Sequence, residues 1–441
     1  MNCRKNLFYK GGIILNMMLK DLITSFTKSI DVYNYLLKNH HRRTAVAAYQ
    51  IGKEYGLDDD SLCDLVIAAA LHDIGALTVK ERDQLIQMDV LDPFPHSNLG
   101  SYMLDSFELF DKISKIVYYH HWRYDNDGNW NLKMGEVPIE AYILHVADRT
   151  DILIDSNQPI LLQKTSVMDG IRQNSGILFH PDVVNAFLNE AMKDSFWLDI
   201  DNLDMEVVLD LAISKRFEIT MTLYLLEQFA FTLSKIIDSR SKFTISHSFG
   251  VSQVAFAIAE LMGYPLEKCR KIKIAGLLHD MGKIAIPTEI IEKNGSLTEL
   301  ERTGIRTHAY FTSLILNHMN GLEEIAVWAA GHHENHDGSG YPMNLTAERI
   351  TEEMDVVAYA DIYTALSEDR PYRNGMNPEQ SLKILHNEFI EKHGEPIYHI
   401  IRDNLSYVDA VFKQAVTEGN ERFQLHQMNS LCLDNATRYS M

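Results

Sequence analysis

Leu277-Leu278-His279-Asp280-Met281-Gly282-Lys283 sets an imidazole beside a carboxylate at the end of an apolar helical pattern, followed by a flexible glycine and a lysine. His279 can supply a borderline nitrogen ligand, and the two oxygens of Asp280 can bridge two divalent ions. A lone His-Asp pair is common and more often structural than metal-binding, so its surroundings decide the reading. Outward from it lie His247, His308, the pair His332-His333 and Asp361, each in a segment whose apolar residues recur at helical spacing. Several helices could therefore point one ligand each toward a common centre. After His332-His333 comes Glu334-Asn335-His336-Asp337-Gly338-Ser339-Gly340-Tyr341-Pro342, whose glycines and proline predict a fixed turn beside that centre.

On charge and residue type, His247, His279, Asp280 and Asp361 could form one nitrogen-and-oxygen site, and Asp280, His308 and His332 a second, with Asp280 bridging. Two-metal hydrolases hold such ions about 3.5–4 Å apart, with an attacking water between them. From about Phe243 to Arg373 these motifs together resemble the HD-GYP family of metal-dependent phosphodiesterases. The resemblance implies that His247, His279, Asp280, His308, His332 and Asp361 are metal ligands and that His333 is a weak ligand or a neighbour of one. Some family members add a third metal through a Glu four residues before the first His; Phe243 stands there, so two ions are expected.

The resemblance further implies that Asp280 and Lys283 act in catalysis, with Lys283 touching the scissile phosphate as a point charge. Arg370 and Arg373 would contact phosphate or base, since guanidinium can fork onto phosphate or stack on a purine. Tyr341 could hydrogen-bond the substrate, Pro342 restricts the turn, and Asp337 could orient a histidine.

The chain repeats itself. Thirty-two residues separate His40 from His72, as they do His247 from His279, and Gly56 and Gly263 each lie sixteen residues past the first of these histidines. His72-Asp73 then matches His279-Asp280, His96 matches His308, His120-His121 matches His332-His333, and Asp148 matches Asp361. The first copy keeps a candidate metal set in His40, His72, Asp73, His96, His120 and Asp148. It has Ala76 where the second has Lys283, and Trp122-Arg123-Tyr124-Asp125-Asn126-Asp127-Gly128-Asn129 in place of the Gly-Tyr-Pro loop. The bland alternative is a duplicated scaffold whose old ligand positions hydrogen-bond one another.

No region alternates as a substantial sheet would, so the expected class is all-α: two tandem HD-superfamily helical domains joined by a long helix. The expected divisions are a poorly ordered extension at 1–20, an altered HD domain at 21–198, a linking helix at 199–240 and a catalytic HD-GYP domain at 241–441. The linking helix is expected to run from Met205 to Ile237. The apolar stretch Gly11 to Leu19, behind Arg4, Lys5 and Lys10, has no small-x-small cleavage site, and it reads as an extension ahead of a start at Met17 or Met18.

A net charge of −20 and a pI near 5.4 disfavour long nucleic acid as a partner without excluding a small phosphate ligand. Mean hydropathy is −0.16 and no run of about 18 apolar residues occurs, so no membrane span is expected. Cys3, Cys63, Cys269 and Cys432 show no paired spacing, as befits a reducing cytoplasm. A homodimer is one expected assembly; the Met205–Ile237 segment is read as packing between the two domains in preference to offering a dimer surface.

The resemblance implies hydrolysis of a bacterial cyclic dinucleotide to a linear, 5′-phosphorylated dinucleotide. The tandem arrangement is similar to 3′3′-cyclic GMP-AMP phosphodiesterases, which sets the preferred substrate, with cyclic di-GMP the alternative. Two other readings are a non-catalytic receptor and a nucleotide phosphohydrolase of the broader HD superfamily. Histidine and carboxylate suit Fe, Mn, Ni or Zn, and the resemblance favours Fe or Mn.

Overall fold

The computed structural model describes residues 13–33, 39–76, 88, 94–125, 137–213, 217–240, 246–293, 295–369 and 373–438. They form two compact bodies, one built on Leu19–Ile219 and the other on Thr220–Leu425 with the strand at 14–18.

The first body is a stack of helices: α1 (Leu19–Tyr33), α2 (His40–Tyr55), α3 (Asp59–Leu71), α4 (Phe94–Leu104), α5 (Asp111–Tyr119) and α6 (Ile139–Ile152). It continues with α7 (Ile160–Gln173), α8 (Pro181–Ala191), α9 (Asp194–Asn202) and α10 (Met205–Ala212). Asp58 caps α3 by accepting a bond from the Ser61 N–H at 2.7 Å, as the acidic run predicts. The alanines Ala68, Ala69 and Ala70 of α3 are fully buried, and so are Ala45 and Ala48 of α2. Small side chains let these two helices approach closely and bring the His72-Asp73 turn near His40.

The second body opens with strand β1 (Ile14–Met18), which pairs antiparallel with β2 (Thr220–Thr222) through a bulge. Then come α11 (Leu223–Asp238), α12 (His247–Leu261), α13 (Leu266–Leu278), the short α14 (Thr288–Ile291), α15 (Glu299–Asn317), α16 (Glu323–Ala330) and α17 (Glu352–Ser367). α18 (Pro378–Ile384), α19 (Ile390–His393), α20 (Glu395–Asp403) and α21 (Leu405–Arg438) follow. Val251, Val254, Ala255 and Ile258 of α12 are buried as the pattern predicts, while Met262 is only half-buried. Thr298 and Glu301 form a reciprocal capping box at the start of α15.

Two expectations are corrected. The helix expected from Met205 to Ile237 is two helices, α10 and α11, with β2 between them. The β-branched Thr220 and Thr222 favour strand, and the Thr222 hydroxyl accepts from the Leu225 N–H at 3.2 Å to start α11 afresh. Within the expected extension at 1–20, Ile14–Met18 form β1 paired with β2, and α1 begins at Leu19.

The repeat is visible in the backbone. Gly56 and Gly263 follow the first helix of each copy with φ of 92° and 77°, a left-handed conformation that suits glycine. Gly75 and Gly282 serve a different end. A β-carbon on Gly282 would lie 1.9 Å from the His308 carbonyl oxygen, and one on Gly75 would lie 2.1 Å from that of His96. The glycine after each His-Asp pair thus provides close approach, not flexibility, and it lets the turn lie against the helix carrying the third histidine.

Candidate metal centre

In the second body the six candidate ligands come from five helices or their ends. His247 opens α12, His279 and Asp280 follow α13, His308 lies in α15, His332 follows α16 and Asp361 lies in α17. The helical geometry then fixes the imidazoles: Nδ1 of His279, His308 and His332 donates to the carbonyl three residues back, on Gly276, Ile305 and Ala329, at 2.7–2.8 Å. A carbonyl can only accept, so each of these Nδ1 atoms carries a proton, and in the neutral ring each Nε2 presents a lone pair. His247 Nδ1 donates likewise to Glu368, at 3.1 Å.

The four Nε2 atoms converge with two carboxylates. His247 Nε2 lies 3.2 Å from Asp361 Oδ1, and His279 Nε2 lies 3.3 Å from Asp280 Oδ2 and 3.9 Å from Asp361 Oδ1. His308 Nε2 lies 3.4 Å from Asp280 Oδ1 and 3.4 Å from His332 Nε2. The two oxygens of Asp280 thus face two different groups of nitrogens, as a bridge requires. Ligands tetrahedrally disposed 2.0–2.1 Å from an ion are about 3.4 Å apart, so the spacing of these nitrogens and oxygens fits divalent metal. His308, His332 and His333 also offer ligand atoms within 4.8 Å of one another, which puts His333 at the edge of the centre.

Charge is distributed accordingly. Burial opposes a protonated His247, but Glu368 and Asp361 outweigh it and push its pKa up to about 10. Burial, with His308 beside it, pushes His333 down to about 3 and keeps it neutral. Asp280 is buried, yet Lys283 and His279 hold its carboxyl well below the usual range.

Lys283 forms an ion pair with Asp280 Oδ2, so its ammonium rests on the bridging carboxylate at a quarter-exposed position. Tyr341 stacks near His333 at 4.7 Å between ring centroids, and its N–H donates to the His333 carbonyl at 3.1 Å. The loop is braced by Glu334, a buried carboxylate that accepts from the N–H groups of Met343 and Leu345 at 2.6 and 2.8 Å.

Two expectations change here. Asp337 is exposed and accepts from the Ser339 N–H and hydroxyl, so it orients no histidine; an Asp two residues before a Ser in a turn closes that turn on itself. The Arg373 guanidinium donates to the carbonyls of Ala365 and Leu366 and so caps α17, whose last carbonyls have no helical partner. Arg370 lies outside the described residues, as do Phe243 and residues 126–129.

Sequence reasoning missed Glu368, Glu334 and Thr312, whose hydroxyl links the His279 carbonyl to the Gly282 N–H. It also passed over Arg306, whose guanidinium lies 4.5 Å from the centre of the Tyr341 ring. A signal existed for Arg306, two residues before His308 on the same helix; Glu368 and Glu334 gave none, because their partners are distant in sequence or are backbone.

The first body repeats the centre. His72 and His120 Nδ1 donate to the carbonyls of Ala69 and Val117, and His40 Nδ1 donates to Asp151. Asp73 again faces two groups, His40 and His72 through Oδ2 and His96 and His120 through Oδ1.

The chain matches two families described as HD domain, over residues 37–153 and 232–393. It is 27% identical to the 3′3′-cGAMP-specific phosphodiesterase 1 of Vibrio cholerae, over 85% of this chain and 88% of that protein. The 3′3′-cGAMP-specific phosphodiesterase 3 of the same organism is 30% identical over 60% of this chain and 56% of its own length. A cyclic di-GMP phosphodiesterase response regulator of Xanthomonas campestris is 38% identical over 35% of this chain and 41% of its own. A crystal structure of the cyclic GMP-AMP-specific phosphodiesterases of V. cholerae superposes with a TM-score of 0.56 at 20% identity, covering 88% of this chain and 98% of that one, and so shares the fold. Among the described residues no helix is long and apolar enough to cross a membrane.

Proposed function

This chain carries two HD domains in tandem, and from that premise we propose that the second is a metal-dependent phosphodiesterase that opens a cyclic dinucleotide, with 3′3′-cyclic GMP-AMP preferred. The observation that carries the reading is the convergence of four imidazole Nε2 atoms on two carboxylates with a lysine beside them. His247, His279, Asp280 and Asp361 would hold one ion, and His308, His332 and Asp280 the other. Iron or manganese is favoured. When bound, two such ions supply Lewis acidity at phosphorus and acidify the attacking water toward neutral pH.

The chain's own residues do the rest. Lys283 is placed to leave Asp280 for a phosphate oxygen, because its ammonium is charged and already at the bridge. Tyr341 and the exposed Arg306 form an aromatic and cationic edge beside His333, suited to a base or to the second phosphate. The water oxygen bonds to phosphorus, the bond from phosphorus to the 3′-oxygen breaks, and the leaving oxygen takes a proton. The product is a linear dinucleotide with a 5′-phosphate.

Metal-replete protein is incubated separately with 3′3′-cyclic GMP-AMP, cyclic di-GMP and cyclic di-AMP, and linear products are followed by chromatography against Asp280→Ala. Cleavage abolished by the substitution supports the reading, and relative rates name the substrate. No cleavage of any of them by protein that contains metal sinks it in favour of a receptor.

A further inference from the structure

The second HD domain carries a cation that its fold does not use. Arg306 is exposed on α15, two residues before His308, and its guanidinium lies 4.5 Å from the centre of the Tyr341 ring. Among the described residues no carboxylate pairs with Arg306 and its side chain makes no hydrogen bond. The half-buried Tyr341 ring lies 4.7 Å from that of His333 and 6.3 Å from that of His308. Burial pushes the Tyr341 phenol up, and the nearby carboxylates of Asp280 and Asp361 push it further. The ring thus reaches from the edge of the metal centre to the Arg306 guanidinium. The duplication separates this pair from the scaffold. The first copy has Phe94 two residues before His96 and no Gly-Tyr-Pro turn, just as it has Ala76 where the second has Lys283. Arginine and tyrosine therefore accompany the phosphate lysine, not the shared ligand frame.

A guanidinium resting on an aromatic ring keeps its N–H donors in its own plane, free to meet a partner at the ring's side. A planar fork of two donors matches O6 and N7 of guanine, which are both acceptors. Adenine offers N7 beside an amino group, so one donor of the fork would face another donor. The same fork fits phosphate, but the reacting phosphate has Lys283 at the bridge, and the negative face of the Tyr341 ring favours a stacked base over an anion.

We propose that Arg306, seated on Tyr341, reads the O6 and N7 edge of one guanine of the cyclic dinucleotide and so sets the discrimination against adenine there, a role that rests on the phosphodiesterase reading above. 3′3′-Cyclic GMP-AMP and cyclic di-GMP can each place a guanine at that position; cyclic di-AMP cannot.

The test measures kcat/KM of the metal-replete full chain for the three cyclic dinucleotides in wild type, Arg306→Ala and Arg302→Ala. Arg302 is exposed one helical turn before Arg306, so its loss removes the same charge beside the site. Wild type is expected to favour cyclic di-GMP over cyclic di-AMP about 10–100-fold. Arg306→Ala is expected to bring that ratio near one by slowing both guanine-containing substrates, while cyclic di-AMP changes less than about threefold. Arg302→Ala is expected to leave the ratio as in wild type. Should Arg306→Ala misfold by circular dichroism, Arg306→Gln replaces it; its amide forks onto N6 and N7 of adenine and not onto the two guanine acceptors, so the ratio is expected to fall at least as far. An equal fall for all three substrates would make Arg306 a phosphate contact, and an unchanged ratio would remove it from recognition; either overturns the proposal. So does an equal change of ratio in Arg302→Ala, which would trace the effect to charge alone. If wild type binds the dinucleotides without cleaving any, the same ratios are read as dissociation constants by calorimetry, so the phosphodiesterase reading fails while the guanine contact is still decided. Wild type that neither binds nor cleaves any of them overturns both.

Discussion

In the first domain Asp73 faces two groups of histidines, with Arg149 paired to Asp148 and a buried Ala76 in the lysine's place; in the second, Asp280 faces the matching groups, and Lys283 and Tyr341 stand at its edge. The donor sets agree almost atom for atom, so ligands alone do not separate the two domains. What separates them is the cation paired with a carboxylate of the centre, Arg149 on Asp148 in the first and Lys283 on Asp280 in the second. In the first it is a guanidinium fixed by two bonds to one carboxylate, unable to leave without stranding a buried charge. In the second it is a partly exposed ammonium on a flexible stem, able to turn toward a phosphate.

The sharpest test of that difference is Lys283→Ala. Removing a charge that stabilises the reacting phosphate is expected to lower kcat about 10²–10³-fold, with metal content by mass spectrometry unchanged. A loss of metal in step with activity would make Lys283 a prop for Asp280 and erase the distinction between the domains.

A smaller effect is expected in the shared framework. Gly282→Ala and Gly75→Ala each push a methyl group into a histidine carbonyl, and each is expected to cost about 1–3 kcal/mol of stability by denaturant unfolding. Equal losses would show that the two turns are built alike; a loss in one alone would break the correspondence.

The carboxylates behind the first histidines differ in origin, since Glu368 supports His247 and Asp151 supports His40. Glu368→Gln is expected to weaken metal binding in the second domain about 10–100-fold by calorimetry. The pH dependence has a definite sign. Metal-free His247 keeps its proton up to about 10, so an ion entering at neutral pH must expel it, and apparent affinity rises with pH between 6 and 9. Glu368→Gln removes part of the hold on that proton, so fewer protons are released per ion and the slope is shallower. An unchanged slope would assign the proton to another group.

The smallest effect is expected at Tyr341→Phe. The ring that stacks on His333 and under Arg306 remains, so a change of less than about tenfold in kcat/KM is expected, reporting one hydroxyl hydrogen bond. Unchanged kinetics would remove the hydroxyl from the site and leave the ring as the useful part.

The sequence alone determined the helical class, the duplication and the convergence of six candidate ligands in each body. Those features are periodic or sit at fixed spacing: a histidine at a helix end reaches back to its own carbonyls, and the next copy repeats it. Helix starts with local caps, at Asp58 and Thr298, were legible for the same reason. The interruption between α10 and α11 was not, because an apolar run of helical spacing does not show that Thr220 and Thr222 will find β1 some 200 residues earlier. Nor could spacing show that Glu368 lies behind His247, that Arg373 turns back onto its own helix, or that Gly282 is held against the His308 carbonyl. Only the tertiary structure decided these, because each depends on distance between segments that the chain brings together after its helices have formed.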